Sequence, residues 1–205
     1  INVDQDIHFR GVDAEETYRY LGMEEAEGTQ QRMMKEQFKK EYYCRVKLIL
    51  KTQLNAKNKV MAINNLAIPV INYSFGIIEW RRSELQQIDR KTRKFLTMGG
   101  AHHPNADVDR LYFNRNEGGR GLIGIEDSFE KTIIDLNEYI LDRQDRLVEI
   151  IAKDDESKKK YSISKDVGKI KNRHFIDKDV SKTEFKKLVE QHHVKKYKDK
   201  QLHGQ

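Results

Sequence analysis

The chain has 205 residues, of which 39 are lysine or arginine and 33 are aspartate or glutamate, and its net charge is +6. This length is enough to bury a core, and the single cysteine, Cys44, excludes an internal disulfide and a cysteine-rich zinc site. No apolar run reaches the roughly 18 residues that span a bilayer, so we expect an intracellular protein that has no membrane partner.

The positive charge is concentrated in parts of the chain. Residues 29–60 carry nine basic and two acidic side chains, and residues 153–205 have a balance of +7, whereas residues 1–28 and 101–152 are net acidic. Clustered positive charge is typical of proteins that bind polyanions. The alternative is a solvated lysine-rich helix face, which is common in helical proteins.

The first 28 residues predict a short β-hairpin. Two β-prone runs, 6–10 and 17–22, flank an acidic turn at residues 11–16. A hairpin of this size is marginally stable alone, so it is expected to belong to a larger sheet.

A long amphipathic helix is predicted from Thr29 to Leu54. Its apolar residues recur at steps of three and four, and they are Met34, Phe38, Tyr42, Val46 and Ile49. Lys40, Lys47 and Lys51 recur at steps of seven and four and fall on another face. The helix is therefore predicted to pack on one side and to present cations on the other, before a short break at residues 55–58.

Residues 59–80 form the most apolar stretch and predict a helix that is buried on all sides and kinked by Pro69. A third helix is predicted to begin at Ser83, with Gln86 as its capping partner, and to end at Gly99-Gly100. The second half of this helix is strongly basic, with Arg90, Lys91, Arg93 and Lys94.

The rest of the chain predicts an irregular segment, one long helix, a linker and a last helix. Residues 99–124 are irregular apart from a helical turn at 106–112, and a helix is expected from Ile125 to Lys153. Residues 154–179 are charged and poor in hydrophobic residues, which predicts a linker. Ser181 and Glu184 are expected to cap a final helix that decays into a basic tail.

No pattern in the sequence predicts a catalytic or metal site. The pairs His102-His103 and His192-His193 lack a third ligand at a suitable spacing. The glycine-rich run 117–121 lacks the lysine and serine of a nucleotide-binding loop, so a tight turn from which Arg120 reaches a phosphate is the better interpretation. Aromatic residues among the basic helices suit nucleic-acid stacking, with core packing as the alternative; they are Tyr42, Tyr43, Tyr73, Trp80 and Tyr112.

A run of motifs in order resembles one family. Residues 18–23, Tyr-Arg-Tyr-Leu-Gly-Met, followed by an acidic turn and a long basic helix, resemble the primer-grip strand and thumb of non-LTR (LINE-type) retrotransposon reverse transcriptases. The resemblance spans residues 8–130 and continues through 54–64, 67–80, 89–94, 107–112 and 117–122. One departure is Asn114, which precedes Arg115 where the family often has proline.

The resemblance implies a fold and a division of the chain. The fold would be mainly α, a helical thumb-like bundle preceded by a short β-hairpin from the end of a palm domain. Residues 1–28 would be the palm remnant, 29–100 the thumb, 101–153 a post-thumb loop and long helix, and 154–205 a charged linker and basic C-terminal helix.

The resemblance also implies a nuclear protein that holds a template–primer duplex. The partners would be an RNA–DNA or DNA duplex and the remainder of the polymerase. Tyr20, Leu21 and Gly22 would form the primer grip. The phosphate contacts would be Lys40, Lys47, Lys51, Lys57, Lys59, Arg90, Lys91, Arg93, Lys94, Arg115 and Arg120.

Catalysis is not expected from this chain alone. The family's Tyr-x-Asp-Asp motif lies upstream of the primer grip and does not occur in these 205 residues. No catalytic residue, metal ligand or cofactor is therefore expected here, and Mg²⁺ would bind the absent palm segment. Two alternatives stay open: a helical protein–protein interaction module derived from a retroelement and kept by a host, or an inert relic.

Overall fold

The protein is mainly helical in the computed structural model, which describes residues 18–20, 23–25, 31–143, 150, 153, 162–176 and 182–203. Two compact units meet within the first helix, one comprising residues 1–37 and the other residues 38–205. Among the described residues, no helix has both the length and the apolar character needed to cross a bilayer.

The described strands are β1 (Tyr18–Tyr20) and β2 (Met23–Glu25), which pair antiparallel with Tyr20 opposite Met23. The run 6–10, which was expected to pair with 17–22, lies outside the described residues. The hairpin of those two runs therefore stays a prediction.

Helix α1 (Gln31–Lys51) confirms the first predicted helix and its apolar stripe. Met34, Tyr42, Val46 and Ile49 are buried, and Phe38 is half-buried. After α1, Asn55 caps the next helix, because its side-chain oxygen accepts a hydrogen bond from the Asn58 amide.

The apolar stretch that follows is interrupted, not one buried helix. It consists of α2 (Ala56–Ala62), a π-helical turn (Ile63–Ala67) and α3 (Ile68–Asn72). Pro69 has no amide proton and its ring would crowd the carbonyl of residue 65, and the widened π turn directly before it relieves that conflict. The expected kink at Pro69 is thus present, but the helix ends at Asn72, followed by a turn in which Gly76 has φ +84.

The prediction of burial on all sides was wrong for this stretch. Four large side chains are about half exposed, between 48% and 56%: Met61, Leu66, Tyr73 and Ile77. Trp80 is buried and its indole NH donates to Ser74 Oγ at 2.9 Å, so its assignment to the core is confirmed whereas that of Tyr73 is not.

Helix α4 (Arg82–Met98) starts slightly before the predicted cap. Glu84, not Gln86, closes the N-terminus, since its carboxylate accepts the backbone amide of Arg81 at 2.9 Å. The predicted stop is confirmed, with Gly99 as the C-cap and Gly100 at φ +66.

Two short 3₁₀ helices, Asp109–Leu111 and Arg115–Glu117, interrupt the irregular segment, and the first confirms the predicted helical turn. Helix α5 then begins at Ile125 as expected but ends at Asp142, because Arg143 is extended. No residue of α5 after Ile134 is buried, so little packing supports a longer helix.

The predicted linker at 154–179 contains a helix, α6 (Ile163–His174). Ser162 caps it, Val167 and Ile170 are buried, and it packs on α5, where Arg173 and His174 bind the buried Glu130. The last helix, α7 (Lys182–His203), also extends further than predicted, through the expected tail. Ser181 lies outside the described residues, so the predicted cap there is untested.

Helix α5 is the centre of the second unit. It contacts α3, α4, α6 and α7. Its buried residues are in the first three turns, including Ile125, Phe129 and Ile133. Helix α1 is joined to α4 by side chains, as described next.

Candidate nucleic-acid interface

Helices α1 and α4 are joined through their aromatic and hydroxyl side chains. Tyr42 and Thr92 share a buried hydrogen bond of 2.9 Å between their oxygens. Beside it, the rings of Tyr43 and Phe95 meet edge to face, with centroids 5.6 Å apart. These contacts fix the two helices side by side and thereby set the relative positions of their outward-facing lysines.

Two predicted phosphate contacts flank this aromatic pair. Lys47 Nζ lies 5.1 Å from the centre of the Phe95 ring, and Lys91 Nζ lies 4.2 Å from the centre of the Tyr43 ring. Each lysine thus covers an aromatic ring of the other helix, an arrangement that stabilises the cation while leaving it at the surface. Both side chains are exposed.

Three further lysines extend the same face by their spacing. Lys40 and Lys51 lie seven residues before and four after Lys47 on α1, and Lys94 lies three after Lys91 on α4. All are exposed. We call this surface the basic face; it comprises Lys40, Lys47, Lys51, Lys91 and Lys94, with Tyr43 and Phe95 between the helices.

The structure divides the predicted basic run 90–94. Arg93 is half-buried and donates to the Tyr112 hydroxyl at 2.7 Å, so it binds the irregular segment and not the surface of the basic face. Arg90 is exposed and its Nε donates to the Gln86 carbonyl of the previous turn at 3.3 Å. A run of four cations on one helix covers more than one face, because successive residues are 100° apart.

The two lysines of α2 have different environments. Lys59 is half-buried and its Nζ donates to the Leu50 carbonyl at 2.9 Å, which satisfies an acceptor at the end of α1. Lys57 is exposed in the first turn of α2. Lys59 therefore has a structural contact, and Lys57 is the member of the pair that faces solvent.

The glycine-rich segment is a tight turn and its amides are already used. The amides of Gly119, Gly121 and Leu122 donate to backbone carbonyls within 3.1 Å, and Gly118 and Gly121 have φ of +88 and +69. A phosphate cradle requires amides that point outward, so the turn interpretation is favoured. Arg120 is exposed, whereas Arg115 is half-buried and its Nε has no hydrogen-bond partner.

The predicted primer grip is described at one position. Tyr20 is the last residue of β1, and Leu21 and Gly22 lie outside the described residues. The grip therefore stays a prediction.

The histidine pairs do not form a metal site within the described ranges, where no group of three suitable side chains is placed to hold an ion. His102 is half-buried, and burial together with the charge of Arg120 lowers its pKa. His193 instead binds Asp127, with 2.9 Å between Nε2 and Oδ2.

One important residue is absent from the sequence-based predictions. Asp89 of α4 is buried and caps α5 from outside, since its carboxylate accepts the amides of Ile125 at 2.8 Å and Glu126 at 3.1 Å. Burial raises its pKa to about 7, although these two amides act in the opposite direction. The bonds join residues 36 and 37 positions apart, so no local spacing could have indicated them.

Close to this junction lies a cavity of about 390 Å³. Its walls come from the turn at 121–124, the first turns of α5, and α7, which contributes Phe185, Val189 and His193. Asn64 positions the turn, because its side chain donates to the Gly121 carbonyl at 2.7 Å and accepts the Ile123 amide at 3.1 Å. No family model, curated protein or solved structure matches the chain, so its assignment rests on its own residues and geometry.

Proposed function

We propose that this chain is the duplex-binding portion of a non-LTR retrotransposon reverse transcriptase. It would hold an RNA–DNA or DNA duplex for a catalytic segment that binds Mg²⁺ and lies outside these 205 residues. The observation that carries the proposal is the basic face, in which Lys47 and Lys91 each cover an aromatic ring of the opposite helix.

The dimensions of the basic face suit a phosphate backbone. With a rise of about 1.5 Å per residue, Lys40, Lys47 and Lys51 extend over roughly 16 Å along α1. Duplex DNA carries about one charge per 1.7 Å of axis, so such a row faces several phosphates. Lys91 and Lys94 form a second row on α4. Two rows of exposed cations on a rigid pair of helices favour binding to backbone without base readout.

The place of the chain within a polymerase follows from the ordered motifs. Strands β1 and β2 would be the end of the palm, with Tyr20, Leu21 and Gly22 as the primer grip. Helices α1 to α4 would be the thumb, and the protein would act in the nucleus with the remainder of the polymerase polypeptide. This assignment is supported by the resemblance and by the mainly helical structure that follows β2.

A charge-reversal experiment tests the proposal. The variant K47E/K91E/K94E should lower the affinity for a hybrid duplex at least tenfold at about 0.1 M salt, because each reversal removes a phosphate contact. The matched control, K153E/K165E/K187E, changes net charge equally at exposed lysines that are dispersed over the chain. Fluorescence anisotropy measures the affinity, and circular dichroism verifies the fold. Equal affinities for the two variants would contradict the proposal.

The exposed apolar side chains support a second candidate function, a protein–protein interaction module. Leu66, Tyr73 and Ile77 are each about half exposed along α3 and its flanking turns. Clusters of exposed apolar side chains are typical of interaction surfaces. In this case K47E/K91E/K94E would leave partner binding intact, whereas L66E/I77E would abolish it.

A further inference from the structure

Helix α7 is held on the second unit chiefly by charge. Three carboxylates face it from two different elements: Asp107 and Asp109 from the first 3₁₀ helix region, and Asp127 from the first turn of α5. We call these three residues the acidic cluster. Each of them pairs with a basic side chain on one face of α7, whose members His193, Lys196 and Lys200 have helical spacings of three and four.

The contacts within the acidic cluster are specific. His193 Nε2 lies 2.9 Å from Asp127 Oδ2, and Lys196 Nζ lies 3.4 Å from Asp109 Oδ1. Lys200 Nζ lies 3.2 Å from Asp107 Oδ2 and also binds Asp109. Asp109 is the hub, because its side chain is only 5% exposed and it contacts three cations of α7.

Apolar packing contributes little to this docking. Phe185 is fully buried, but Val189 is half-buried and Leu188 is 39% exposed. Ring contacts add a stack of Tyr112 on His193 and a tilted contact of Phe113 with Tyr197. The C-terminal half of α7 therefore depends on ion pairs, and pairs that include side chains as exposed as Lys196 and Lys200 are screened by salt.

We propose that α7 is a second nucleic-acid contact whose inward cations are held by the acidic cluster until phosphates displace it. This inference rests on the proposed function. The carboxylates occupy Lys196 and Lys200 in the way that phosphate oxygens would, since both are compact anions that accept from an ammonium group. Release would present these lysines to the duplex together with the exposed Lys187, Lys195 and Lys198 of the same helix.

Neutralising the hub tests the exchange. The variant D107N/D109N removes the competing charges but retains the side-chain oxygen of residue 107, which accepts the amide of residue 109 at 2.7 Å. Its affinity for a hybrid duplex should rise at least threefold above that of the control E117Q/D142N, which loses the same two charges at exposed positions. Hydrogen exchange measured without duplex should show faster exchange in α7 and unchanged exchange in α1 and α4.

A second pair of variants assigns the gain to α7. K196A/K200A alone should change the affinity less than twofold, because these lysines are occupied in the resting protein. In the D107N/D109N background the same substitutions should remove the gain. The inference is overturned if D107N/D109N binds the duplex no better than its control, or if α7 exchange is unchanged. The proposed function is overturned by a different result, namely full affinity in K47E/K91E/K94E.

Discussion

The hydroxyl of Tyr42 on α1 donates to the hydroxyl oxygen of Thr92 on α4, and this buried bond of 2.9 Å joins the two helices that carry the basic face. The direction of donation follows from the inventory of protons. Thr92 has one hydroxyl proton, which it donates to the Ile88 carbonyl at 2.9 Å, so the proton between the two hydroxyls belongs to Tyr42. Burial raises the pKa of the Tyr42 hydroxyl, which keeps this proton in place.

Removing this proton should weaken the fold without affecting binding. Tyr42→Phe deletes the hydroxyl and should lower the free energy of unfolding by about 1 kcal/mol, the usual contribution of one buried hydrogen bond. Urea denaturation measures the change, and the exposed Tyr139→Phe is the control. Because the hydroxyl lies below the basic face, duplex affinity should be unchanged; a large loss of affinity in a folded variant would contradict this geometry.

Two glycines should differ in their tolerance of alanine. A Cβ at Gly119 would overlap the carbonyl group of Phe113, whereas a Cβ at Gly100 meets no atom within 4 Å. Gly119→Ala should therefore cost roughly 3 kcal/mol or more, since backbone must move. Gly100→Ala should cost only about 1 kcal/mol, for its left-handed φ of +66. Thermal denaturation ranks the two variants, and the reverse order would refute the described turn.

Asp89 should make stability depend on pH. Burial raises its pKa to about 7 in the folded protein, while an exposed aspartate in the unfolded chain titrates near 4. The folded state therefore holds an extra proton between these values, and stability is lost as the pH rises through this range. Relative to Asp89→Asn, the wild type should lose about 2 kcal/mol between pH 5 and pH 8. A pH-independent difference would show that Asp89 is ionised throughout.

His193 should act on α7 with its own pH dependence. Burial works to lower the pKa of His193, but Asp127 and Asp109 outweigh it and raise the pKa above the usual value. The other groups that face the ring are Tyr112 from the irregular segment and the neighbouring His192 and Lys196 of α7. The stabilisation is complete below about pH 6.5, the unfolded value, and is lost as the pH rises through the folded pKa.

The test compares the wild type with His193→Gln at pH 5.5 and pH 8.5. The wild type should be more stable than the variant by roughly 1 kcal/mol at the lower pH, and this advantage should shrink at the higher pH. Denaturant titration monitored at both values provides the comparison. A larger advantage at pH 8.5 would mean that the imidazole binds Asp127 in its neutral form.

Local patterns predicted the elements whose signals lie within a few residues. The stripe of α1 is buried as its spacing indicated, and Gly99-Gly100 ends α4. Helix α6 was missed because its region is highly charged, although Ile163, Val167 and Ile170 follow helical steps and Ser162 is a capping residue. That signal was present in the sequence and is weak because it consists of only three apolar residues.

The positions of side chains between elements could not be predicted. Lys91 and Lys47 were both chosen as phosphate contacts, but only the pairing of α1 with α4 places them over Tyr43 and Phe95. The same pairing turns Arg93 away to Tyr112. Capping of α5 by Asp89 likewise depends on tertiary packing, which spacing along one chain does not encode.

The salt dependence of duplex binding tests the central claim most directly. Affinity for a hybrid duplex is measured by fluorescence anisotropy between about 50 and 200 mM salt, for the wild type and for K47E/K91E/K94E. If the basic face binds phosphates, log affinity should fall linearly with log salt concentration, and the variant should lose at least two units of slope. A wild-type affinity that is indifferent to salt, or a variant with the wild-type slope, would contradict the claim.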